Sequence, residues 1–374
     1  MKTTMYQRTL FDEAQFNKLH SRPSAERILP EAADERDHSL GSFQIQNRRY
    51  LGNKYRLLDF ISEIVLTKCG YVDSFCDLFA GTGVVGAHFN SSHTKVISND
   101  FLKSNYVCLR SFLGITDYSP TRTAEKIEYL NELSGIHENY FSNHYGGTYF
   151  TQENAKKIGA IREEINQIAE SSDEQSMLIC SLLYATDKVA NTVGHYDAFR
   201  KRLDSCRPIR LLVPEINHWY NRRNEVYDQD ANLLIRQLSV DVLYLDPPYN
   251  SRQYSDAYHL LENLAEWKRP QVVGTGRKMN RSHIKSRYCR KGATWAFADL
   301  IHHADCKHIL LSYNNTGDAK DGRSNARMRD CEILEILSSK GRVEVFEKRY
   351  KAFSAGKSND SGNAERVFYC HVSG

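Results

Sequence analysis

Apolar residues in this chain follow two rhythms. Short unbroken runs are the mark of strands buried on both faces of a parallel sheet. They occur from Val72 to Phe79, Lys95 to Ser98, Val242 to Leu245 and Lys307 to Tyr313. Between them, apolar positions recur every three or four residues, as on one face of a helix. Leu57, Phe60, Ile61, Ile64 and Val65 form such a stripe before the first run; Leu102, Val107, Leu109 and Leu113 form another after the second. Thr151 to Ala169 carries Ala155, Ile158, Ile161, Ile165 and Ile168 at helical spacing. Ser172 with Gln175 reads as a capping box for a helix through Leu178, Leu182 and Val189. A helix is expected over residues 324–338. Val343 to Tyr350 and Arg366 to Val372 then read as a closing antiparallel pair joined by a Gly/Ser/Asn/Lys loop.

Strands alternating with helices predict an α/β protein with a Rossmann-like sheet. The alternation breaks once. Gly86 and Asp246 are too far apart for a single loop, so residues 115–224 are expected to form an inserted, mainly helical domain. The sheet domain is then 43–114 plus 225–374. Residues 1–42 are polar, with Pro23 and Pro30 breaking any helix pattern. They read as a loose extension with a short helix around Glu13 to Leu19.

The run Val242–Leu245 ends in Asp246-Pro247-Pro248-Tyr249. Carboxyl ends of strands are where open α/β sheets bind ligands. Two prolines stiffen the turn and remove two N–H donors. A carboxylate, a rigid carbonyl and a ring face within four residues can grip a planar heterocycle bearing an amino group. An ordinary turn with Tyr249 packed on the sheet is the plainer reading of those four residues alone.

A glycine loop upstream changes the balance. Gly81, Gly83 and Gly86 satisfy the GxGxxG pattern after a strand and before a helix. Asp77 and Phe79 end the strand before it, and a carboxylate there repels pyrophosphate but attracts an ammonium. No GxxxxGK[ST] lysine is present. Asp100, closing the next strand, is placed to bond ribose hydroxyls. The implied ligand has an amine and a ribose but no phosphate, which S-adenosylmethionine satisfies. Ahead of the loop, Tyr50, Gly52 and Lys54 suit a ligand carrying a carboxylate and an adenine. By itself that segment also reads as a solvated basic turn before a packing helix.

Together, the Phe75-x-Asp77-Leu78-Phe79-Ala80-Gly81-Thr82-Gly83 loop, the acidic strand end and Asp246–Tyr249 resemble an amino methyltransferase. The order, with the Tyr50–Lys54 segment first, resembles the Dam-like alpha group of DNA adenine-N6 methyltransferases over residues 45–372. The resemblance implies an S-adenosylmethionine-dependent methyltransferase sheet with a C-terminal β-hairpin, a helical target-recognition insert and adenine flipped from duplex DNA. It implies that Asp246 and the Pro247 carbonyl accept the amine hydrogens while Tyr249 stacks on the base. It also implies that Asp230 and Ala231 contact the cofactor adenine, with Asp228 as an alternative, and that Ser312–Asn315 shape the target pocket. A restriction-modification or phage-defence setting follows, which admits a cognate restriction endonuclease as partner. Cytosine N4, RNA amines, and a nicotinamide oxidoreductase built on the glycines stay open as alternatives.

Charge adds the DNA. The net charge of +4 is too small to prove nucleic-acid binding, but the cations are clustered. Arg200, Lys201, Arg202, Arg222 and Arg223 lie in the insert's Asn-, Tyr- and His-rich segment. Trp267 to Gly292 holds nine Lys or Arg and no Asp or Glu, including Arg277, Lys278, Arg281, Lys285, Arg287, Arg290 and Lys291. This stretch is expected to be a mobile DNA-clamping arm that orders on phosphate contact. The nine cysteines lack metal-type spacing, which points to a reduced cytoplasmic protein without a metal. No apolar stretch reaches membrane-spanning length, and a monomer or weak dimer is expected.

Overall fold

The computed structural model describes residues 8–10, 40–203, 206–314, 326–349 and 364–373. In chain order the strands are β1 (Arg8–Leu10), β2 (Ser42–Phe43), β3 (Ser74–Asp77), β4 (Lys95–Asn99), β5 (Val213–Pro214), β6 (Glu225–Tyr227), β7 (Ser239–Leu245), β8 (Asp305–Ser312), β9 (Gly341–Arg349) and β10 (Ala364–Val372). Eight form one sheet in the order β1-β9-β10-β8-β7-β3-β4-β6, and β2 pairs with β5 apart from it. Strands β6, β4, β3, β7 and β8 are mutually parallel, while β10 runs antiparallel to β8 and β9. The chain builds outward from β3 through β4 to β6, then returns to the other side of β3 for β7 and β8. A crevice must open at that reversal, at the carboxyl ends of β3 and β7.

The unbroken apolar runs become strands covered on both faces. In β7, Val242 and Tyr244 face α1 (Leu58–Lys68), in a core with Ile61, Ile64 and Phe75. Leu243 and Leu245 face the other side, in a core with Phe297, Leu300 and Ile333. The glycine turn leads from β3 into α2 (Val84–Phe89). Gly83 has φ +80°, and a Cβ there would sit 2.5 Å from the Leu109 side chain and 3.1 Å from Ile45. Gly83→Ala is expected to cost about 1–3 kcal/mol, combining left-handed strain with overpacking. The check is a lower thermal midpoint in an otherwise folded protein.

After β4 come α3 (Lys103–Leu109), α4 (Pro120–Glu132), α5 (Tyr140–Tyr145), α6 (Gln152–Ile168) and α7 (Ser172–Val189). Just before β7 comes α8 (Ala231–Leu234); beyond it come α9 (Tyr254–Ala257), α10 (His259–Glu266), α11 (Ala293–His303) and α12 (Asp330–Ser338). Helices α4 to α7 occupy the expected insert but share their core with the sheet's own helices. Ile158, Ile161, Leu178 and Leu182 pack in one cluster with Leu109, Leu113, Leu260 and Leu264. Arg162 of α6 donates to the Leu264 and Ala265 carbonyls at the end of α10.

Several local expectations shift. The α7 cap is Ser171, whose hydroxyl accepts from the Glu174 N–H, one residue earlier than expected. Helix α12 starts at Asp330 rather than 324; just before it, the Arg327 N–H bonds the Tyr249 carbonyl and the Met328 N–H bonds the Tyr313 hydroxyl. Residues 8–10, placed in a loose extension, pair in parallel with β9. The expected helix near Glu13 and the loop joining the last two strands lie outside the described residues. No described helix is long and apolar enough to cross a membrane.

The cationic stretch departs most from expectation. It is a packed strap with turns at Ser282–Ile284 and Arg287–Cys289. Met279 and Ile284 bury against Leu102. Lys278 pairs with Asp197 at 3.0 Å and Arg281 with Asp256 at 2.6 Å. Its few apolar anchors are too irregular to show a period, and the neutralising carboxylates are distant in sequence.

Candidate active site

A crevice opens at the carboxyl ends of β3, β4 and β7. Asp77 lies at its floor. One of its carboxylate oxygens accepts from the Gly86 N–H at 3.2 Å, while Oδ1 is buried with no partner. Burial pushes its pKa up to about 8, against the pull of that N–H. The glycine turn rises beside it. Gly81 has φ +53°, and a Cβ there would meet the Tyr50 ring at 3.1 Å. The Gly81 N–H donates to Asp100 at 2.9 Å, and the other Asp100 oxygen caps the Leu102 N–H at 2.9 Å. Asp100 thus keeps only its outer lone pairs for a ligand. Phe79 meets Tyr288 edge to face at 5.0 Å.

The Tyr50–Lys54 segment closes the side toward β7. Tyr50 stacks on Tyr258 at 4.5 Å and accepts a hydrogen bond from Asn105. Lys54 turns inward, donating to the Gly52 carbonyl at 3.0 Å and pairing with Asp246 at 2.7 Å. Burial alone would lower the Lys54 pKa, but Asp246, Glu365 and Tyr249 together outweigh it and the net shift is upward. Burial likewise raises Asp246, opposed by Lys54. The lysine expected to meet a ligand carboxylate instead holds the Asp246 carboxylate.

Pro248 lines the crevice with Asp246, and Pro247 is buried behind it. The Tyr249 carbonyl accepts from the Arg327 N–H at 2.9 Å and the Tyr313 hydroxyl at 3.3 Å. The Tyr313 ring stands edge-on to Tyr249 at 6.1 Å. At the opposite wall, Asp230 caps α8 through the Asn232 N–H at 2.9 Å and pairs with Arg287 at 3.0 Å. Ala231 lines the same wall. Asp228 points away and pairs with Lys103 at 2.8 Å, so of the two alternatives only Asp230 borders the crevice.

One crevice therefore gathers Tyr50, Gly52, Lys54, Asp77, Phe79, Gly81, Asp100, Asp230, Ala231, Asp246 and Pro248. Gly83 does not join them; it faces Leu109 and Ile45. The strap supplies a roof that sequence reading missed. Ile284, Ser286 and Tyr288 line the crevice. The Gln253 side chain bonds the Ser286 backbone twice, to its carbonyl at 3.0 Å and from its N–H at 2.8 Å. The alternation of Ile284, Ser286 and Tyr288 within a cationic run was the available signal. Glu262 was also missed. It accepts from the Lys103 and Ser104 N–H groups at 2.6 and 2.9 Å, fixing the start of α3 next to Asp100, and burial pushes its pKa up to about 7.

The cationic positions divide. Arg200, Lys201, Arg202, Arg277, Arg287, Arg290 and Lys291 are exposed and Lys285 is half-buried, while Lys278 and Arg281 are engaged with Asp197 and Asp256. Arg222 and Arg223 sit before β6, and Arg223 donates to the His93 carbonyl ahead of β4. In a parallel sheet that is the edge opposite the crevice, so these two are not beside it.

A family model described as D12 class N6 adenine-specific DNA methyltransferase matches residues 50–321. The chain is 35% identical to the type II methyltransferase M.NlaIII of Neisseria lactamica, over 86% of this chain and 98% of that protein. It is 33% identical to the modification methylase StsI of Streptococcus sanguinis and 34% to the type II methyltransferase M.FokI of Planomicrobium okeanokoites. Each of these matches covers 86% of this chain, and 51% and 52% of those longer proteins.

Proposed function

The chain belongs to the D12 class of N6 adenine-specific DNA methyltransferases, and from that premise we propose that its crevice binds S-adenosylmethionine and delivers the methyl to an adenine held at Asp246–Tyr249. The observation that carries this reading is the buried Asp77 Oδ1, a carboxylate oxygen without a partner at the floor of the crevice. It fits an ammonium group. Asp100 offers its outer lone pairs to ribose hydroxyls, and Asp230 with Ala231 forms the adenine wall. Bound S-adenosylmethionine supplies an electrophilic sulfonium methyl.

The protein's own residues prepare the acceptor. The adenine amine is a poor nucleophile because its lone pair is delocalised into the ring. Asp246 and the Pro247 carbonyl accept its two hydrogens and turn the lone pair out of conjugation. Lys54, paired with Asp246 at 2.7 Å, favours the ionised carboxylate against the effect of burial. Tyr249 stacks on the extruded base, worth about 1–3 kcal/mol, which offsets part of the few kcal/mol of flipping. Positioning and electrostatics supply the rate. Residues 115–224 and the exposed cations of the strap bind and read the duplex, as in the Dam-like alpha group, and the chain acts as the modification partner of a restriction endonuclease.

Incubating the protein with labelled S-adenosylmethionine and plasmid DNA, then identifying the modified base, tests this. N6-methyladenine at one sequence motif is the expected product. Label in cytosine, or protection of the fold by NADH in place of S-adenosylhomocysteine, would overturn the reading. Gln253→Ala removes two of the bonds that hold the roof, each worth about 1 kcal/mol. It is expected to weaken S-adenosylhomocysteine binding about tenfold by calorimetry and to lower the thermal midpoint modestly in an otherwise folded protein.

A further inference from the structure

Among the described residues, Arg327 is the one arginine bonded through its backbone to the Asp246–Tyr249 turn. Its N–H donates to the Tyr249 carbonyl at 2.9 Å, and the next N–H, of Met328, donates to the Tyr313 hydroxyl. Tyr313 in turn donates to the same Tyr249 carbonyl. Arg327 is thus locked in register with the ring proposed to stack on the target base. Its Nε is buried with no hydrogen-bond partner, and among the described residues no carboxylate forms an ion pair with Arg327.

A buried guanidinium nitrogen with no acceptor is costly, and such cations are normally paired. Its surroundings narrow what completes it. Burial pushes the Cys289 thiol up to about 11, and the nearby Arg327 charge opposes that shift. Cys289 contacts the Arg252 carbonyl at 3.2 Å, where the chain leaves Tyr249. Arg327 does not line the cofactor crevice. A guanidinium beside the base slot, apart from the cofactor and lacking an acid, suits an anion carried by the substrate. Guanidinium and phosphate match as a bidentate pair.

We propose that Arg327 binds a backbone phosphate flanking the flipped adenosine, anchoring the nucleotide against Tyr249. This rests on the reading of Asp246–Tyr249 as the target site. It makes Arg327 a positioning residue: it holds the sugar–phosphate while Asp246 and the Pro247 carbonyl hold the amine.

The test uses the full chain and a short duplex carrying the methylation site mapped by sequencing. Arg327→Ala is expected to weaken duplex binding about tenfold and to lower the slope of log affinity against log salt by about 0.9, one phosphate contact. A methylphosphonate on one side of the target adenine should impose a similar loss on the wild type and almost none on Arg327→Ala. Arg327→Lys should keep the salt slope and recover part of the affinity. An unchanged thermal midpoint and S-adenosylhomocysteine affinity in the variants would separate lost anchoring from misfolding. If both methylphosphonate positions penalise wild type and Arg327→Ala equally, or if the salt slope is unaltered, the assignment is wrong while the methylation reading stands. If the wild-type chain leaves adenine unmodified, the underlying reading fails, and this one with it.

Discussion

Asp246→Asn is expected to lower the rate of adenine methylation by about a thousandfold while leaving S-adenosylhomocysteine affinity within a few-fold. The carboxamide is isosteric, but it can present an NH2 where the substrate amine needs an acceptor. Groups aimed at a developing charge or a transferring proton contribute about 10²–10⁴ in rate. Asp246 also neutralises Lys54 at 2.7 Å in a largely water-free corner. Removing one partner of such a pair leaves the other buried and uncompensated, at about 3–5 kcal/mol. The single variant should therefore also lose stability. Pairing it with Lys54→Met should restore the thermal midpoint and leave activity low. Single-turnover kinetics and thermal unfolding on the three proteins separate these effects. Wild-type turnover by Asp246→Asn would remove Asp246 from the chemistry.

The second large effect lies at Asp77 and depends on pH. Burial holds this carboxyl's pKa near 8, far above its unfolded value of 3.8. The folded form therefore binds the proton more tightly than the unfolded form. Stability from this group is full below about pH 4 and is lost as pH rises toward 8. The ligand-free protein should show a falling thermal midpoint between pH 6 and 8.5 from this term. Glu262, raised to about 7 by burial, acts in the same direction. An ammonium ligand reverses the balance, because it needs Asp77 ionised. S-adenosylhomocysteine should bind more tightly at pH 8 than at pH 6, releasing a proton at the lower pH. Asp77→Asn should flatten this dependence and weaken binding about a hundredfold or more, as when one partner of a buried charge pair is truncated. Calorimetry in buffers of different ionisation enthalpy measures both. A ligand affinity that is flat with pH in the wild type would remove Asp77 as the ammonium acceptor.

How far the sequence reached can be argued from particular residues. The Val242–Leu245 run and the strand before Gly81 were legible because a central parallel strand must be apolar on both faces. Asp246 and Asp77 were legible because a carboxylate closing such a strand has no structural reason to be there. The GxGxxG spacing suggests ligand contact at Gly83, yet Gly83 faces Leu109, and a Cβ at Gly86 would meet the Ser98 hydroxyl at 2.9 Å and Val96 at 3.2 Å. These two glycines let helix and strand approach. Arg222 and Arg223 looked like their neighbours in composition, but the direction of β6 puts them at the wrong edge.

The bonds that tie the roof down and the Lys54–Asp246 pair had no local signal. Gln253 meets Ser286, Glu262 meets the start of α3, and Lys54 meets Asp246 only after the sheet has closed. The amino-acid sequence by itself determined the α/β architecture, the glycine turn, the acidic strand ends and the family, because these depend on short-range periodicity and on residue types in fixed order. The tertiary structure alone decided that both turns open on one crevice, that the basic stretch roofs it and that Arg327 stands against Tyr249. Those facts depend on strand order and on contacts between residues tens to hundreds of positions apart, which no local pattern encodes.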